Sequence, residues 1–447
     1  MAPSLIDTDT GKSSTPQSVG KPVEAASRFS SLSETAPDEA FGLNAACLSD
    51  PDPRKVNLGI GIYRTENGEP WPLPTVERVE DRQHKEKSIS RHEYLTMQGD
   101  VEFLALARDL AFRLEGTTTT REAHQLQKNR IASVQTVSGT GANSVGAEFL
   151  ARYVRSGTVW IPEPTWSNHH AIWEFAGVQR QTYPYYDFQG KCFNYEGTLQ
   201  TLSARAQAGD VVVLHACAHN PTGADPTKDQ WAKLAGLCHS KGLIPFFDLA
   251  YQGFASGSVE EDSWVVQHFL HYRPQLEFCV AQSFAKNFGL YGQRTGALHV
   301  VSRGTGSDDA AAAAEASRIS KVVTSNLCGL IRGTYSIPPR YGSDIVKTVL
   351  ASKELRNQWH NDLRQMSGRI KAMRRALYDE LIRLSTPGTW DHILSQVGSI
   401  LVSILNEYAT WTQIREIRET LAYAIDNVCR SVCSRTRVCL RNRSLRS

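Results

Sequence analysis

The chain has 447 residues, of which 41% are hydrophobic and 21% are charged, and its formal net charge is +3. This composition is typical of a globular protein of two or three domains, and so small a charge gives no electrostatic case for nucleic-acid or membrane partners. No apolar stretch approaches the roughly 20 residues that a membrane span requires. The nine cysteines lack paired C-x-x-C spacing, so we expect free thiols in a reducing compartment, with the cytoplasm as the default location.

Residues 1–28 are rich in Ser, Thr, Pro and Gly and poor in large apolar side chains. We expect them to form a flexible N-terminal arm. They contain no apolar segment like that of a secretory signal, and Asp7, Asp9 and Glu24 argue against a transit peptide.

Short apolar runs alternate with helix-compatible stretches from about Ile131 onward. The runs are "IASVQTV", "TVWIP", "DVVVLHACA", "LIPFFDLA", "LEFCVAQ" and "GALHVVS". This alternation predicts an α/β fold with a mostly parallel sheet that helices cover on both faces. The segment that connects the last two runs is shorter than the other connections. This favours an antiparallel last strand and therefore a mixed sheet.

Two later segments have helical character. "DDAAAAAEASRIS" is alanine-rich, and residues 353–384 form one long stretch, "KELRNQWHNDLRQMSGRIKAMRRALYDELIRL". The second segment is long enough to link the α/β domain to a second, smaller domain.

Ligands of open parallel sheets bind beyond the carboxyl ends of the strands. The segments that follow the apolar runs are "SGTGA", "EPTWSNH", "HNPTG", "DLAYQGF" and "SFAKNFG". All of them are polar, glycine-bearing or aromatic, and the topology brings them to one edge of the sheet. We therefore expect a binding site at that edge.

"SGTGA" places Ser138, Gly139 and Thr140 between a strand and a helix. Small residues there let backbone N–H groups approach an anion, and the two hydroxyl groups add donors. A plain strand–turn–helix junction explains the same motif. The missing Walker lysine and the incomplete G-x-G-x-x-G spacing disfavour a nucleotide.

Asp248 and Lys286 each come at the end of a buried apolar run. A buried carboxylate at Asp248 is energetically costly unless a cation pairs with it. Asp248 could therefore be a helix cap or part of a structural ion pair. It could also pair with a buried heterocyclic cation, which the Tyr251 hydroxyl could contact as well. Lys286 is either a solvated charge or a nucleophile whose pKa burial lowers. Arg294 offers a planar fork of donors to a phosphate.

A lysine that forms a Schiff base, an acid that faces a ring nitrogen and an anion cradle with an arginine are what pyridoxal 5′-phosphate (PLP) requires of a protein. Asp248 would keep the pyridine ring protonated, so that the ring can accept electrons from a substrate carbanion. We predict no metal site, because the spacing of the C-terminal cysteines matches no standard zinc pattern.

With these motifs the chain resembles the class I PLP-dependent aminotransferases, most closely their aspartate aminotransferase branch. The motifs that match, in order, are "VNLGIGIYRTENGEPWPLPTV", "EYLTMQG", "SGTGA", "PTWSNH", "HNPTG", "DLAYQGF", "SFAKNFGLYGQR" and "IRGTYSIPP". The resemblance covers roughly residues 30–398 and implies the fold type I of PLP-dependent transferases. Residues 73–352 would form the large PLP-binding domain with its mixed sheet, and residues 29–72 and 353–447 the smaller α/β domain.

The resemblance also implies roles for single residues. Lys286, Asp248 and Tyr251 would be catalytic, with Lys286 as both the Schiff-base lysine and the proton shuttle, and His169 would lie behind Asp248. The cofactor-binding residues would be Ser138, Gly139, Thr140, Trp166, Asn220, Asp248, Tyr251, Ser283, Lys286, Arg294 and, from the neighbouring subunit, Tyr94. The substrate-binding residues would be Gly61, Trp166, Asn220 and Arg332.

The resemblance further implies a homodimer with shared active sites, in which Tyr94 and Arg332 cross the interface. Arg332 would bind the distal carboxylate of aspartate or glutamate, since a bidentate arginine selects dicarboxylates. Small amino and oxo acids are the expected partners.

The sequence departs from the family pattern in three places. "TYSIPP" carries Ile337 where the family usually has asparagine, and the stretch between Arg294 and Arg332 is longer by about "GTGSDDAAAAA", which we interpret as a surface insertion. The resemblance ends after "WDHILSQVGS". A "GRIS"-type strand, whose arginine in the family clamps the substrate α-carboxylate, is absent.

Residues 399–447 are therefore atypical. From Cys429 they contain three cysteines and a dense run of Arg and Ser. A frameshift or mis-spliced exon near Ser399 explains this tail, and so does a diverged tail with a terminal helix. Arg435 and Arg437 are weak replacements for the missing arginine. An unpaired substrate carboxylate weakens binding, so we expect PLP binding with impaired transamination.

The leading functional prediction is transamination between L-aspartate and 2-oxoglutarate, which gives oxaloacetate and L-glutamate. One alternative is an aminotransferase of broader or aromatic specificity. Another is a catalytically weak PLP-binding dimer partner. A hydrolase is disfavoured, because the chain has neither a G-x-S-x-G nor an H-E-x-x-H motif.

Overall fold

The computed structural model describes residues 27–35, 39–51, 61–65, 68–86, 92–114, 127–304 and 310–397. Most of the predicted N-terminal arm, the segment 305–309 and the tail from residue 398 on, with Arg435 and Arg437, lie outside these ranges. None of the helices in the described ranges is long and apolar enough to cross a membrane.

Thirteen α-helices and nine strands make up the described ranges. The helices are α1 Glu39–Ser49, α2 Pro74–Glu86, α3 Val101–Phe112, α4 Ser138–Phe149, α5 Asn168–Phe175, α6 Tyr195–Arg205, α7 Lys228–Lys241, α8 Val259–Asp262, α9 Trp264–Tyr272, α10 Ala310–Thr334, α11 Arg340–Ala351, α12 Lys353–Arg383 and α13 His392–Ser395. A π-helical turn, Leu150–Val154, extends α4. The strands are β1 Ile131–Val137, β2 Thr158–Glu163, β3 Gln179–Pro184, β4 Tyr186–Asp187, β5 Cys192–Phe193, β6 Val211–His215, β7 Ile244–Leu249, β8 Phe278–Ser283 and β9 Thr295–Val301.

Seven strands form one sheet in the order β1-β9-β8-β7-β6-β2-β3. The pairs from β8 to β3 are parallel, whereas β9 runs antiparallel to both β1 and β8. The α/β class, the mostly parallel mixed sheet and the antiparallel last strand are therefore confirmed. The apolar runs of the sequence did not predict β3 or the small β4–β5 hairpin.

The sheet is buried on both faces, as its continuous apolar runs predict. On β6, Val211 and Val213 pack into the cluster on one face, while Val212 and Leu214 pack into the cluster on the other. Side chains alternate between faces along a strand, so a strand that is apolar at every position requires helices on both sides.

The helices begin and end at recognisable signals. Thr227 and Gln230 form a capping box at the start of α7. Gly242, with a φ of 67°, follows the last residue of that helix in the left-handed conformation that glycine adopts most readily.

A third apolar cluster joins α2, α11 and α12 to the end of the sheet near Lys286. Trp359 of α12 stacks on Phe288 with a centroid distance of 4.6 Å and donates from its indole nitrogen to the Asn287 carbonyl oxygen at 2.7 Å. The predicted long helix is thus present as α12. The sequence predicts a domain boundary at residue 352. The apolar cluster contains residues from both before and after this boundary, so α12 packs against the preceding part of the chain.

The surface insertion predicted before Arg332 is helical in its second part, as the alanine-rich sequence predicts. From Ala310 on, the alanine-rich segment forms the first turns of α10, and Ala312 and Ala316 are buried. Alanine is the strongest helix former, which explains why the segment extends the helix.

His299 lies on β9, between β1 and β8, and is fully buried. Its Nδ1 lies 2.8 Å from Ser133 Oγ and its Nε2 lies 3.0 Å from Gln282 Oε1, so the neutral ring is satisfied at both nitrogens. Burial lowers the pKa of His299 from 6.5 to about 3, and the charge of Arg108 adds to this effect.

We predict that His299 makes the fold acid-sensitive. Its pKa is lowered on folding, so its contribution is fully present above pH 6.5 and is lost as the pH falls towards 3, where the unfolded chain gains a proton that the native chain does not. Between pH 7.5 and pH 5 the wild type should lose about 2 kcal/mol of unfolding free energy relative to His299→Gln. Urea unfolding at both pH values measures this difference. The exposed His239→Gln is the control, and an equal difference at both pH values would contradict the prediction.

Candidate active site

One cleft at the carboxyl edge of the sheet collects the predicted cofactor-binding residues of this chain. All ten of them line it: Ser138, Gly139, Thr140, Trp166, Asn220, Asp248, Tyr251, Ser283, Lys286 and Arg294. Four further lining residues were not predicted from the sequence: His215, Cys217, Ala250 and Ala285. The expected convergence of loops at one sheet edge is therefore present in the structure.

Three predicted residues lie away from the cleft of their own chain. Tyr94 is 85% exposed, and neither it nor Gly61 nor Arg332 lines the cleft. Arg332 is exposed near the end of α10 and donates to Ser336 Oγ at 2.5 Å. The roles predicted for Tyr94 and Arg332 across a subunit interface, and for Gly61 in the substrate pocket, stay predictions.

Lys286 follows β8 and extends into the cleft from a buried backbone. Its Nζ makes no hydrogen bond or salt bridge within the described part of the chain, and it lies 5.2 Å from the centre of the Tyr251 ring. Burial lowers the pKa of Lys286; Asp248 opposes this effect and Arg294 adds to it. The amine is thus easier to deprotonate than an ordinary lysine, as a nucleophile requires.

Asp248 ends the apolar strand β7 and is only 8% exposed. Its Oδ2 accepts hydrogen bonds from His169 Nε2 at 3.2 Å and from Asn143 Nδ2 at 3.0 Å. Burial tends to raise the pKa of Asp248, but the hydrogen bond from His169 and nearby positive charge outweigh it and leave the pKa below its usual value. Both bonds fall on Oδ2, which leaves Oδ1 for a donor in the cleft.

A chain of hydrogen bonds sets the tautomer of His169. The Asn220 N–H donates to His215 Nδ1 at 3.0 Å, so the neutral His215 carries its proton on Nε2, which lies 3.3 Å from Thr165 Oγ1. Burial lowers the pKa of His215 well below its usual value, which keeps this ring neutral. The Thr165 hydroxyl can then donate to His169 Nδ1 at 2.9 Å, and His169 Nε2–H donates to Asp248.

The anion cradle is formed by backbone in an uncommon conformation. Ser138 (φ 62°) and Arg294 (φ 52°) both adopt left-handed backbone, and the Ser138 N–H donates to the Arg294 carbonyl oxygen at 3.1 Å. Gly139 follows at the N-terminus of α4, where a Cβ would lie only 2.9 Å from Ser283 Cβ. This close packing leaves unpaired N–H groups of a helix N-terminus in the cleft, as a phosphate site requires.

The sequence contained signals for the residues that were missed. His215 pairs in register with Asp248 on the adjacent parallel strand, so a paired reading of "VVVLH" and "IPFFD" places them side by side. Asn143 comes one helical turn after Gly139 and donates to both the Gly139 carbonyl oxygen and Asp248.

The last described residues dock on the loop that carries Asn220. The Val397 N–H donates to the Gly223 carbonyl oxygen at 2.7 Å. Gly223 has a φ of 63°, and a Cβ there would overlap the Val397 carbonyl oxygen. The chain therefore leaves the described structure next to the cofactor loop.

The cleft fits PLP. It combines a buried amine, a buried carboxylate with a free oxygen and an anion cradle that a Cβ at position 139 would fill. Fold and site together define a PLP-dependent enzyme of the fold type I.

Comparisons with known proteins also indicate a PLP-dependent enzyme. The family model for aminotransferase class I and II matches residues 53–444, a range that includes most of the atypical tail. The L-tyrosine:2-oxoglutarate aminotransferase of Aspergillus ustus is 48% identical over 83% of this chain and 69% of its own length. The cytoplasmic aspartate aminotransferase of Schizosaccharomyces pombe is 43% identical over 83% of this chain and 86% of its own.

Comparison with solved structures also identifies aminotransferases. The aromatic-amino-acid aminotransferase of Burkholderia pseudomallei, covalently bound to pyridoxal phosphate, superposes with a TM-score of 0.77 at 32% identity and covers 91% of this chain and 100% of its own. This chain belongs to the class I and II aminotransferases. It is a PLP-dependent aminotransferase.

We predict that Gly139→Ala weakens cofactor binding about tenfold or more, because the added methyl group forces Ser283 and the start of α4 apart. The measurement is the cofactor absorbance retained after dialysis against a series of PLP concentrations. Gly329→Ala is the control, since nothing lies within 4 Å of a Cβ at that position of α10. Equal retention by the two variants would contradict the cradle assignment.

Proposed function

We propose that this protein transfers the amino group of L-aspartate to 2-oxoglutarate and so produces oxaloacetate and L-glutamate. The observation that carries the proposal is that one cleft contains both Lys286, whose Nζ has no hydrogen-bond or ion-pair partner among the described residues, and the buried Asp248 carboxylate. The identity to aspartate aminotransferases supports the substrate pair. The cytoplasmic relatives support a cytoplasmic location.

A second candidate is an aminotransferase for aromatic amino acids with 2-oxoglutarate as the acceptor. The 48% identity to a tyrosine:2-oxoglutarate aminotransferase favours it, since this value exceeds the 43% identity to the aspartate enzyme of fission yeast. Both candidates use the same cofactor site and differ in the amino acid side chain that the pocket accepts.

In either reaction, bound PLP supplies an electron sink for the bonds at the substrate Cα. Lys286 would hold the cofactor through Nζ and would also accept and return the proton at the substrate Cα; its lowered pKa suits both tasks. Asp248 would keep a proton on the ring nitrogen. Burial raises the pKa of Tyr251, and Asp248 adds to this effect, so the hydroxyl stays protonated and can donate a hydrogen bond.

The orientation of Asp248 follows from the residues behind it. His169 and Asn143 both donate to Oδ2 and prevent the carboxylate from rotating. The carboxylate would therefore present its other oxygen to the ring nitrogen in one orientation. We propose that this positioning is the task of His169, as the family resemblance implies.

We further propose that the active enzyme is a homodimer. Tyr94 and Arg332 are exposed and do not line the cleft of their own chain, which suits residues that complete the cleft of a partner. Gly61 is exposed as well and is proposed to line the substrate pocket. No arginine of this chain has been assigned to the substrate α-carboxylate. A catalytically weak PLP-binding protein is therefore a further alternative.

We predict that Lys286→Ala abolishes both the covalent attachment of the cofactor and transamination, with a loss of at least about 10⁴-fold in kcat. The absorbance spectrum with and without aspartate, followed by borohydride reduction, tests attachment directly. Lys233→Ala, an exposed lysine of α7, is the control. A band in the wild type that never shifts with any amino acid would favour the catalytically weak alternative.

We predict that Arg332→Leu lowers kcat/KM for aspartate by at least about 100-fold, because the distal carboxylate loses its charged partner, and lowers kcat/KM for tyrosine by less than about tenfold. Steady-state kinetics with both donors and 2-oxoglutarate measure this. Arg318→Leu, on the same helix and paired with Glu315, is the control. A wild type that prefers tyrosine to aspartate would establish the second candidate instead.

A further inference from the structure

A buried glutamine of β1 connects two segments that lie outside the cleft. Gln135 is fully buried, and its Oε1 accepts a hydrogen bond from the Asp100 N–H at 3.0 Å. Its Nε2 donates to the Pro339 carbonyl oxygen at 2.8 Å. One planar amide thus satisfies a backbone donor of one segment and a backbone acceptor of the other.

The first segment, residues 94–100, starts with the exposed Tyr94 and leads into α3. It is held closely against β1: the Gln135 N–H donates to the Gln98 carbonyl oxygen at 2.8 Å, and Gln98 Nε2 donates to the Ser133 carbonyl oxygen at 3.1 Å. Gly99 has a φ of 100°, and a Cβ there would overlap the Gln135 side chain. The segment can therefore lie this close only because position 99 has no side chain.

The second segment, residues 335–340, joins α10 to α11 directly after Arg332. Arg332 donates to Ser336 Oγ within it. At its end the Arg340 guanidinium donates to the carbonyl oxygens of Glu93 and Tyr94 at 3.3 and 3.5 Å. The two segments thus also contact each other.

A salt bridge reinforces this arrangement beside the glutamine. Asp100 accepts from the N–H groups of Glu102 and Phe103 at the start of α3, and its Oδ2 pairs with Lys347 Nζ of α11 at 2.5 Å. The position of Tyr94 relative to Arg332 is therefore set by contacts that meet at Gln135 and Asp100.

We propose that Gln135 is a positioning residue that holds Tyr94 and Arg332 in one geometry, and that it thereby controls cofactor and dicarboxylate binding in the active site of the partner subunit. The inference rests on the proposed function, in which Tyr94 and Arg332 serve the partner. Both polar atoms of the amide are buried, so an apolar replacement leaves a donor and an acceptor unsatisfied and frees both segments.

The kinetic test compares Gln135→Leu and Gln135→Glu with the unmodified enzyme. Gln135→Leu should raise the KM for 2-oxoglutarate about tenfold and weaken PLP retention, with a smaller change in kcat. Gln135→Glu keeps the acceptor for Asp100 but sets an oxygen against the Pro339 carbonyl. It should therefore raise the KM while retaining PLP. Gln267→Leu, which removes a partly buried glutamine bonded to Ser263, is the stability control.

Mixed dimers show in which subunit Gln135 acts. When a Gln135→Leu chain is paired with a Lys286→Ala chain, the only reactive lysine is completed by an intact Gln135 across the interface, so we expect the wild-type KM. When a wild-type chain is paired with a Gln135→Leu/Lys286→Ala chain, the only reactive lysine is completed by the altered chain, so we expect the raised KM. The reverse pattern would overturn the inference.

A measurement without substrate or cofactor separates this inference from the proposed function. Amide hydrogen exchange in residues 94–100 and 335–340 of the cofactor-free protein should be faster in Gln135→Leu than in Gln267→Leu. Unchanged exchange together with a wild-type KM would overturn the inference even if the unmodified protein is an active aminotransferase. An unmodified protein without transamination would contradict the proposed function, and the exchange rates would still decide whether Gln135 holds the two segments.

Discussion

The carboxylate of Asp248 is the constraint around which this site is organised. It stands at the end of the apolar strand β7, where an unpaired charge would be strongly unfavourable. His169 and Asn143 satisfy one oxygen, and the hydrogen-bonded residues behind His169 reach back to the loop of Asn220. The second oxygen is left for a cationic ring in the cleft. The core of the sheet thus contains a carboxylate oxygen that favours a cationic partner, independently of the residues that bind the substrate.

The cradle opposite Asp248 depends on backbone rather than on charged side chains. Ser138 and Arg294 hold each other in left-handed conformations through one backbone hydrogen bond, and Gly139 admits Ser283 at close range. Strained backbone persists only where the surrounding structure imposes it. Here β1, β8 and β9 impose it, since all three end or begin at the cradle. Rigid strands therefore fix the positions of both the Asp248 carboxylate and the cradle.

The features that the sequence predicted correctly depend on residues close together along the chain. β1 agrees with its apolar run residue for residue, and the ten same-chain cleft residues follow from motifs at strand ends. β3 was missed because "QRQTYP" is an edge strand with one buried side chain and carries no apolar pattern. His215 and Gln135 were missed for another reason: their importance arises from partners about 30 residues or more away along the chain, which no motif records.

The contact between Val397 and Gly223 uses only a backbone N–H and a backbone carbonyl oxygen. Side chains add to it: Val397 packs against the apolar cluster on one face of the sheet, and the buried Gln396 donates from Nε2 to the Tyr186 hydroxyl at 3.1 Å. The chain is therefore fastened at residues 396 and 397 by backbone and side-chain contacts together. The C-terminal segment thus begins from a fixed point beside the loop that carries Asn220.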